Sequence, residues 1–428
     1  MNSLASFIRE TDFPHIPPEV VEKAKRLIID GIGVGIRGFL EEPSQILIRT
    51  LKPEEGGCPI LGSNLRASPL YSSLINGVSI HSLDFDDYSE DFFGHPTAAV
   101  LPPALSLSKN GRELLLSYIV GVEVACALGK ATGPRHYEAG WHSTSVLGIF
   151  GACASSSKLL SLDHKEIKRA MGIASSLSSG IRKNFGTHTK PLQVGMASRN
   201  GLLSSILAKE GFSSNEDSLF GDMGFLKMMG GEREINFNEW RTLNVAIKPY
   251  PCCSDSHRII DASLELREKI KPEDIEEIIF ITPPQIPKIL IYKEPKTKEE
   301  AKFSLPFIAA STLIYGKPDI KSFENLSDEK IKRLIKISRF EHPPDRKDIY
   351  SPCSLKLKLK DKELEAEVQN PKGSSQNPLK DEELYEKFKS LLEGLMDKKR
   401  IKKAFELLLN LEKLENLEEL FEVIEVGS

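Results

Sequence analysis

HSLDFDDYSEDFFGHPTAAVLPPAL, residues 81–105, gathers Asp84, Asp86, Asp87, Glu90 and Asp91 beside His81 and His95, then turns apolar. Charge next to a segment built for burial marks either a solvated loop or one wall of a site. Just upstream, SPLYSSLINGVSIHSLDF sets Leu70, Leu74, Val78 and His81 at helical intervals. PPEVVEKAKRLIIDGIG does the same with Val20, Val21, Ala24, Leu27 and Ile28, after prolines suited to a helix start. Downstream, GRELLLSYIVGVEVACALGK, STSVLGIFGACASSSKLLSL, HKEIKRAMGIASSLSSG and KPLQVGMASRNGLLSSILAKEG continue the pattern. Several are rich in Ala, Gly and Ser, which lets helix backbones approach closely. The first half therefore reads as a compact helical domain, residues 1–242.

From residue 243 the texture changes. LNVAIKPYP, EEIIFITPP and CSLKLKLKDKELEAEVQ read as strands, with helix-like SHRIIDASLELREKI, AKFSLPFIAASTLIYG and SDEKIKRLIKI between them. That predicts an α/β domain over residues 243–375, closed by the turn-rich NPKGSSQNP. Residues 376–428 return to amphipathic helix. No internal repeat is visible.

A chain of 428 residues exceeds the usual size of one core, so two domains are expected. With 57 basic and 61 acidic residues the net charge is −4, which offers no global attraction to nucleic acid or an anionic membrane. Six cysteines are too few for a disulfide scaffold, and Cys252 and Cys253 are adjacent rather than spaced as CxxC. The first residues carry no signal-peptide pattern, and no apolar run reads as long enough to span a bilayer. The expectation is a cytoplasmic globular protein.

Gly33-Val34-Gly35-Ile36-Arg37-Gly38 matches GxGxxG in form, but it follows a helical segment, so close helix contacts are expected there rather than a dinucleotide. DFDDYSEDFFGH begins like a calcium loop, yet Ser89 and His95 stand where Gly and Glu are required. No zinc spacing occurs. His81 and Asp84 stand three apart, as if on one helix face. The other polar signals sit at Gly- or Pro-marked junctions: Gly94-His95-Pro96, Gly140-Trp141-His142-Ser143-Thr144, Gly186-Thr187-His188-Thr189-Lys190, and Lys248-Pro249-Tyr250-Pro251 followed by His257. Singly each is more often structural than catalytic. Together, cations on helix-entry loops suit a substrate bearing carboxylates, and imidazoles with an acidic partner suit proton transfer. At such junctions, replacing His142 or Lys190 should cost little stability.

The residue 81–105 block, GWHSTSVLGIFGACASSSKLLSLD, GTHTKPLQVGMASRNGLLSSILAKEGF, KPYPCCSDSHRIIDASLEL and AKFSLPFIAAS resemble the ordered blocks of the MmgE/PrpD family. The likeness implies a large helical domain built from both chain ends, a smaller α/β lid domain, a homodimer, and catalysis with no metal or organic cofactor. It implies catalytic roles for His95, His142, Asp84 and Lys190, and substrate contacts from Lys248, His257, Tyr88 and Cys253. Asp84, Asp87 and His81 would hold the loop that presents His95, with Glu90 and Asp91 facing solvent. The family includes dehydratases, decarboxylases and epimerases of small polycarboxylates. Cys253 stands where the decarboxylase has His, and Phe307 where the family often has Tyr, which argues against decarboxylation of cis-aconitate in particular and leaves the reaction class open; a 2-methylcitrate-type dehydratase is the leading expectation. An isomerase, a decarboxylase and a non-catalytic polycarboxylate-binding relative are the alternatives.

Overall fold

Pro17 and Pro18 open a helix because a proline ring pre-sets φ and lacks an N–H that the first turn could not pair anyway. The computed structural model describes residues 2–53, 55–231 and 234–427. In it this helix runs Pro18–Gly38 and buries Val20, Val21, Ala24, Leu27 and Ile28, the face read from their spacing. The GxGxxG run lies inside the same helix, so it forms no strand-to-helix phosphate turn. Its last glycine serves contact instead: a Cβ at Gly38 would sit 1.9 Å from the Ser79 carbonyl oxygen.

The chain divides into two units. The first comprises the residues through Asn184, then His188–Ile247, then those from Lys380 onward. It is built from helices, including Pro69–Ser82, Pro96–Leu107, Gly111–Thr132, Gly148–Leu159, His164–Leu177 and Thr189–Lys209. Thr189–Lys209 packs on Pro69–Ser82 and Gly148–Leu159. It does so through a buried row that includes Gly195, Ala197, Ser198, Gly201, Ser204 and Ser205, the small residues expected where helices approach closely. Gly111–Thr132 corrects one expectation, being long and apolar enough to cross a membrane; most of it is buried within the protein. Three further helices, Asp381–Leu392, Lys398–Leu409 and Glu418–Ile424, belong to this unit. Lys25 Nζ donates to the Leu409 carbonyl at 2.9 Å, and Arg66 grips Glu418 with two hydrogen bonds of 3.0 and 2.6 Å.

The second unit comprises Phe185–Thr187 and Lys248–Leu379. Its four-stranded sheet runs Ser338–Glu341, Ile275–Ile281, Cys353–Leu359, Glu363–Val368, with the first pair parallel and the others antiparallel. Leu355 and Leu357 turn inward, while Lys356 and Lys358 turn outward to pair with Glu363 and Glu277. Helix His257–Arg267 packs against this sheet and against helix Leu305–Tyr315.

Two readings of strands need correction. LNVAIKPYP is no strand: Arg241–Asn244 is a 3-10 turn, and Ala246 alone pairs, exchanging hydrogen bonds of 3.0 and 2.7 Å with Tyr88. Pro249 and Pro251 lack the N–H groups a ladder needs. Conversely, Ser338–Glu341 is a strand that its charged four-residue sequence did not announce. Its place is set by pairing with Ile278–Ile281 and by the 2.6 Å bond from Arg339 to Glu277.

Gly38→Ala should destabilise the protein by about 1–3 kcal/mol, because the obstacle is backbone and cannot swing away. Gly57→Ala, where an added Cβ meets nothing within 4 Å, should change stability by less than about 0.5 kcal/mol. Urea unfolding of both variants measures the difference, and equal costs would contradict the packing described.

Candidate active site

The loop joining helices Pro69–Ser82 and Pro96–Leu107 carries most of the acidic run. The first helix ends before Asp84, whose φ of 54° is left-handed and sparsely populated by non-glycine residues. Asp84 therefore does not share a helix face with His81. Its Oδ2 accepts a hydrogen bond from Lys190 Nζ at 2.8 Å, and both side chains are nearly closed to water, at 5% and 7% exposure. Lys190 sits in the first turn of helix Thr189–Lys209. Its charge is already engaged by a carboxylate of this chain, which argues against a position cheap to replace.

Asp86, which sequence reasoning passed over, holds His81: Nδ1 lies 2.7 Å from Asp86 Oδ2, with both side chains fully buried. Asp87 has a different task. Its carboxylate accepts from the Thr97 backbone N–H at 3.2 Å and from Thr97 Oγ1 at 2.5 Å, tying the loop to the next helix. Burial, reinforced by the neighbouring Asp86, raises the Asp87 pKa well above the ordinary carboxylate range. Its backbone carbonyl accepts from His95 Nδ1 at 2.5 Å. Glu90 is exposed as expected, but Asp91 is not a solvent-facing spacer, since it accepts from Lys130 at 2.9 Å and Asn244 at 3.1 Å.

His95 and His142 stand on separate loops that touch. The His95 N–H donates to Thr144 Oγ1 at 3.2 Å. A Cβ at Gly94 would fall 2.6 Å from that same oxygen and 3.0 Å from the Thr144 nitrogen, so the approach requires glycine. His142 Nδ1 lies 2.8 Å from Gln193 Oε1, while Gln193 Nε2 donates to the Ile181 carbonyl at 3.2 Å. That second bond fixes the amide so that Oε1 accepts, which puts the His142 proton on Nδ1 and a lone pair on Nε2. Burial lowers the His142 pKa well below the ordinary imidazole value, and the nearby His81 and Lys190 push it the same way. The His81 ring lies 4.8 Å from that of His95 and 5.7 Å from that of His142, centroid to centroid.

Within the first unit the fold thus assembles His81, Asp84, Asp86, His95, His142, Lys190 and Gln193. Tyr88 is half-buried there and bridges to Ala246 through its backbone. Lys248, Cys253 and His257 belong to the second unit. Lys248 and His257 are fully buried. The His257 ring stands edge-on to Tyr250 at 5.1 Å, and Tyr250 donates to Asp261 at 2.6 Å. The Cys253 N–H donates to the Lys302 carbonyl at 3.2 Å. Phe307 is a core residue, 1% exposed. Gln193 carried a faint signal, three residues beyond Lys190 on one helix.

His81, Asp86 and His95 also present donor atoms within 4.8 Å of one another, the spacing of a metal shell. His81 Nδ1 and His95 Nδ1 are engaged with Asp86 and the Asp87 carbonyl, so a cation bound through those nitrogens would displace their protons. The donor set fits a hydrogen-bonded cluster better than a ligand shell.

The family description "MmgE/PrpD N-terminal domain" matches residues 2–238, and "MmgE/PrpD C-terminal domain" matches residues 250–412. The chain is 28% identical to the cis-aconitate decarboxylase of Mus musculus, over 97% of this chain and 91% of that one. It is 27% identical to that of Homo sapiens, over 97% and 92%. It is 26% identical to that of Aspergillus terreus, over 96% and 92%.

Lys190→Met should lower stability by about 3–5 kcal/mol, because it strands a buried carboxylate. Adding Asp84→Asn should recover part of that loss, so the two costs do not add. Urea unfolding of the single and double variants checks this, and simple additivity would rule out the pair. Exhaustive chelation should leave turnover intact; loss with EDTA and recovery with a divalent ion would restore the metal reading of the histidine cluster.

Proposed function

The chain belongs to the MmgE/PrpD family, and from that premise we propose that it is a lyase, a dehydratase of the 2-methylcitrate type acting on a small hydroxy-polycarboxylate. The observation that carries the reading is the His142 imidazole. It is buried, its pKa is lowered, and its Nδ1 proton is committed to Gln193. An imidazole held neutral with a lone pair on Nε2 is equipped to take a proton from carbon. Its neighbours suit the rest of the step. His95, anchored through Nδ1 on the Asp87 carbonyl, enters the step as the imidazolium and supplies from Nε2 the proton that leaves with the hydroxyl group. Lys190, held by Asp84, faces the negative charge that gathers on the substrate carboxylate as the C–H bond breaks. The proton from carbon goes to His142, the hydroxyl departs with one from His95, and water is the second product. The parts given to Lys248, His257, Tyr88 and Cys253 in substrate binding rest on the family likeness, as do a cytoplasmic location, a homodimer and independence from cofactors.

A second reading, decarboxylation, is favoured by the names of the relatives, all matched over most of their length. Cys253 and Phe307 weigh against it, because neither offers the imidazole or hydroxyl of the family's usual pattern. Incubation with 2-methylcitrate, citrate and cis-aconitate in D2O separates the possibilities. Elimination supports the dehydratase, carbon dioxide release the decarboxylase, and deuterium exchange alone an isomerase. Binding without exchange would leave a non-catalytic relative and overturn the proposal.

His142→Asn should lower kcat by about 10²–10⁴-fold with substrate still bound. A base with a lowered pKa stays unprotonated as pH falls through about 6.5, so the acid limb of the wild-type kcat/KM profile, which reports the free enzyme, should lie below the ordinary imidazole range. A limb at or above that range would remove His142 as the base.

A further inference from the structure

Phe85 stands between the two acids that engage the site, Asp84 on Lys190 and Asp86 on His81, and it is held by a residue three hundred positions away. Lys387, on helix Asp381–Leu392, donates from Nζ to the Phe85 carbonyl at 2.8 Å. The same nitrogen lies 3.9 Å from the centroid of the Phe85 ring and pairs with Asp30 at 2.5 Å, on helix Pro18–Gly38. Lys387, Asp30 and Phe85 are all buried. A cation over a desolvated ring, with a carboxylate and a carbonyl completing its shell, is a strong and directional hold.

The hold acts on geometry as much as on stability. The Phe85 carbonyl belongs to the peptide that leads into Asp86, and the ring fixes the Cα–Cβ direction of Phe85. One ammonium group therefore restrains the chain in two directions at the residue just after Asp84. Asp84 adopts a left-handed φ of 54°, a conformation that surrounding structure must impose on a non-glycine residue. With Phe85 released, the turn is free to relax, and both Asp84 and Asp86 would leave their partners.

We propose that Lys387 is a positioning residue, which grips Phe85 from the C-terminal helix and thereby sets Asp84 against Lys190 and Asp86 against His81. Its significance for turnover rests on the function proposed above. The rival view is that the Lys387–Asp30 pair merely docks one helix on another.

The test compares Lys387→Met with Leu391→Ala. Leu391 is a buried residue of the same helix that packs toward Gly33 and touches none of the loop contacts described. Hydrogen–deuterium exchange is read on peptides spanning residues 83–95, at conditions matched for global stability. Lys387→Met should raise exchange across residues 83–88 by about tenfold or more, while Leu391→Ala leaves it near wild type. On whichever acid the wild type turns over, Lys387→Met should lower kcat by about 10–100-fold with a smaller change in KM. That penalty should shrink in an Asp84→Asn background, because one of the two acids to be positioned is already gone. Equal loop exchange in Lys387→Met and Leu391→Ala would overturn the proposal, as would an undiminished rate penalty beside Asp84→Asn. If Lys387→Met does not fold, Lys387→Gln is read by the same criteria. A wild type that turns over no acid defeats the functional reading alone, since the exchange measurement needs no substrate.

Discussion

Two opposite charges nearly withdrawn from water persist only as a pair, and the Asp84–Lys190 contact at 2.8 Å is the pair on which this site is built. Each partner constrains the elements around it. Lys190 stands at the start of helix Thr189–Lys209, so that helix must begin where its first turn meets the residue 83–88 loop. Asp84 must leave the preceding helix in a left-handed turn to reach it. The turn brings Asp86 and Asp87 inward behind it, and these two acids then bind His81 and Thr97.

Burying so many polar groups is tolerable only where they satisfy one another. The arrangement answers this with separate attachments rather than one chain of contacts. His81 rests on Asp86, His95 on the Asp87 carbonyl, and His142 on Gln193. In each case the anchored nitrogen is Nδ1, which orients all three rings by the same logic and leaves their chemistry to Nε2. Environment then separates the rings. His142 is fully buried and flanked by His81 and Lys190, so its charged form is penalised most by burial and further by its neighbours. The His95 side chain keeps 14% exposure. In the elimination proposed above, the neutral ring would serve as base and the more accessible one as acid.

Close approach of backbones makes this possible. The His95 and His142 loops meet because Gly94 has no side chain to strike Thr144. The helices beneath them meet through the small residues that line Thr189–Lys209. The same economy of volume explains why the GxGxxG run misleads as a motif. Its glycines thin a helix for packing against its neighbours, with Ser79 beside Gly38, and no phosphate turn exists for them to serve.

The sequence by itself determined the helices and the sheet's longer strands, because each reports its own buried face: Val20 to Ile28 at helical spacing, Leu355 and Leu357 by alternation. It also named the residue types of the site, since acids and imidazoles beside an apolar run are conspicuous. It did not determine who pairs with whom. Periodicity put Asp84 with His81, whereas the left-handed turn gave Asp84 to Lys190 and His81 to Asp86. Local pattern suggested a strand at LNVAIKPYP and was silent at Ser338–Glu341, because a short strand exists only by virtue of its neighbour. Asp30 and Lys387 carry no local signal at all, and Gln193 only a faint one. Their partners lie far along the chain, and hydrogen bonds between distant residues leave no period in a sequence; only the tertiary structure brings their donors and acceptors within reach.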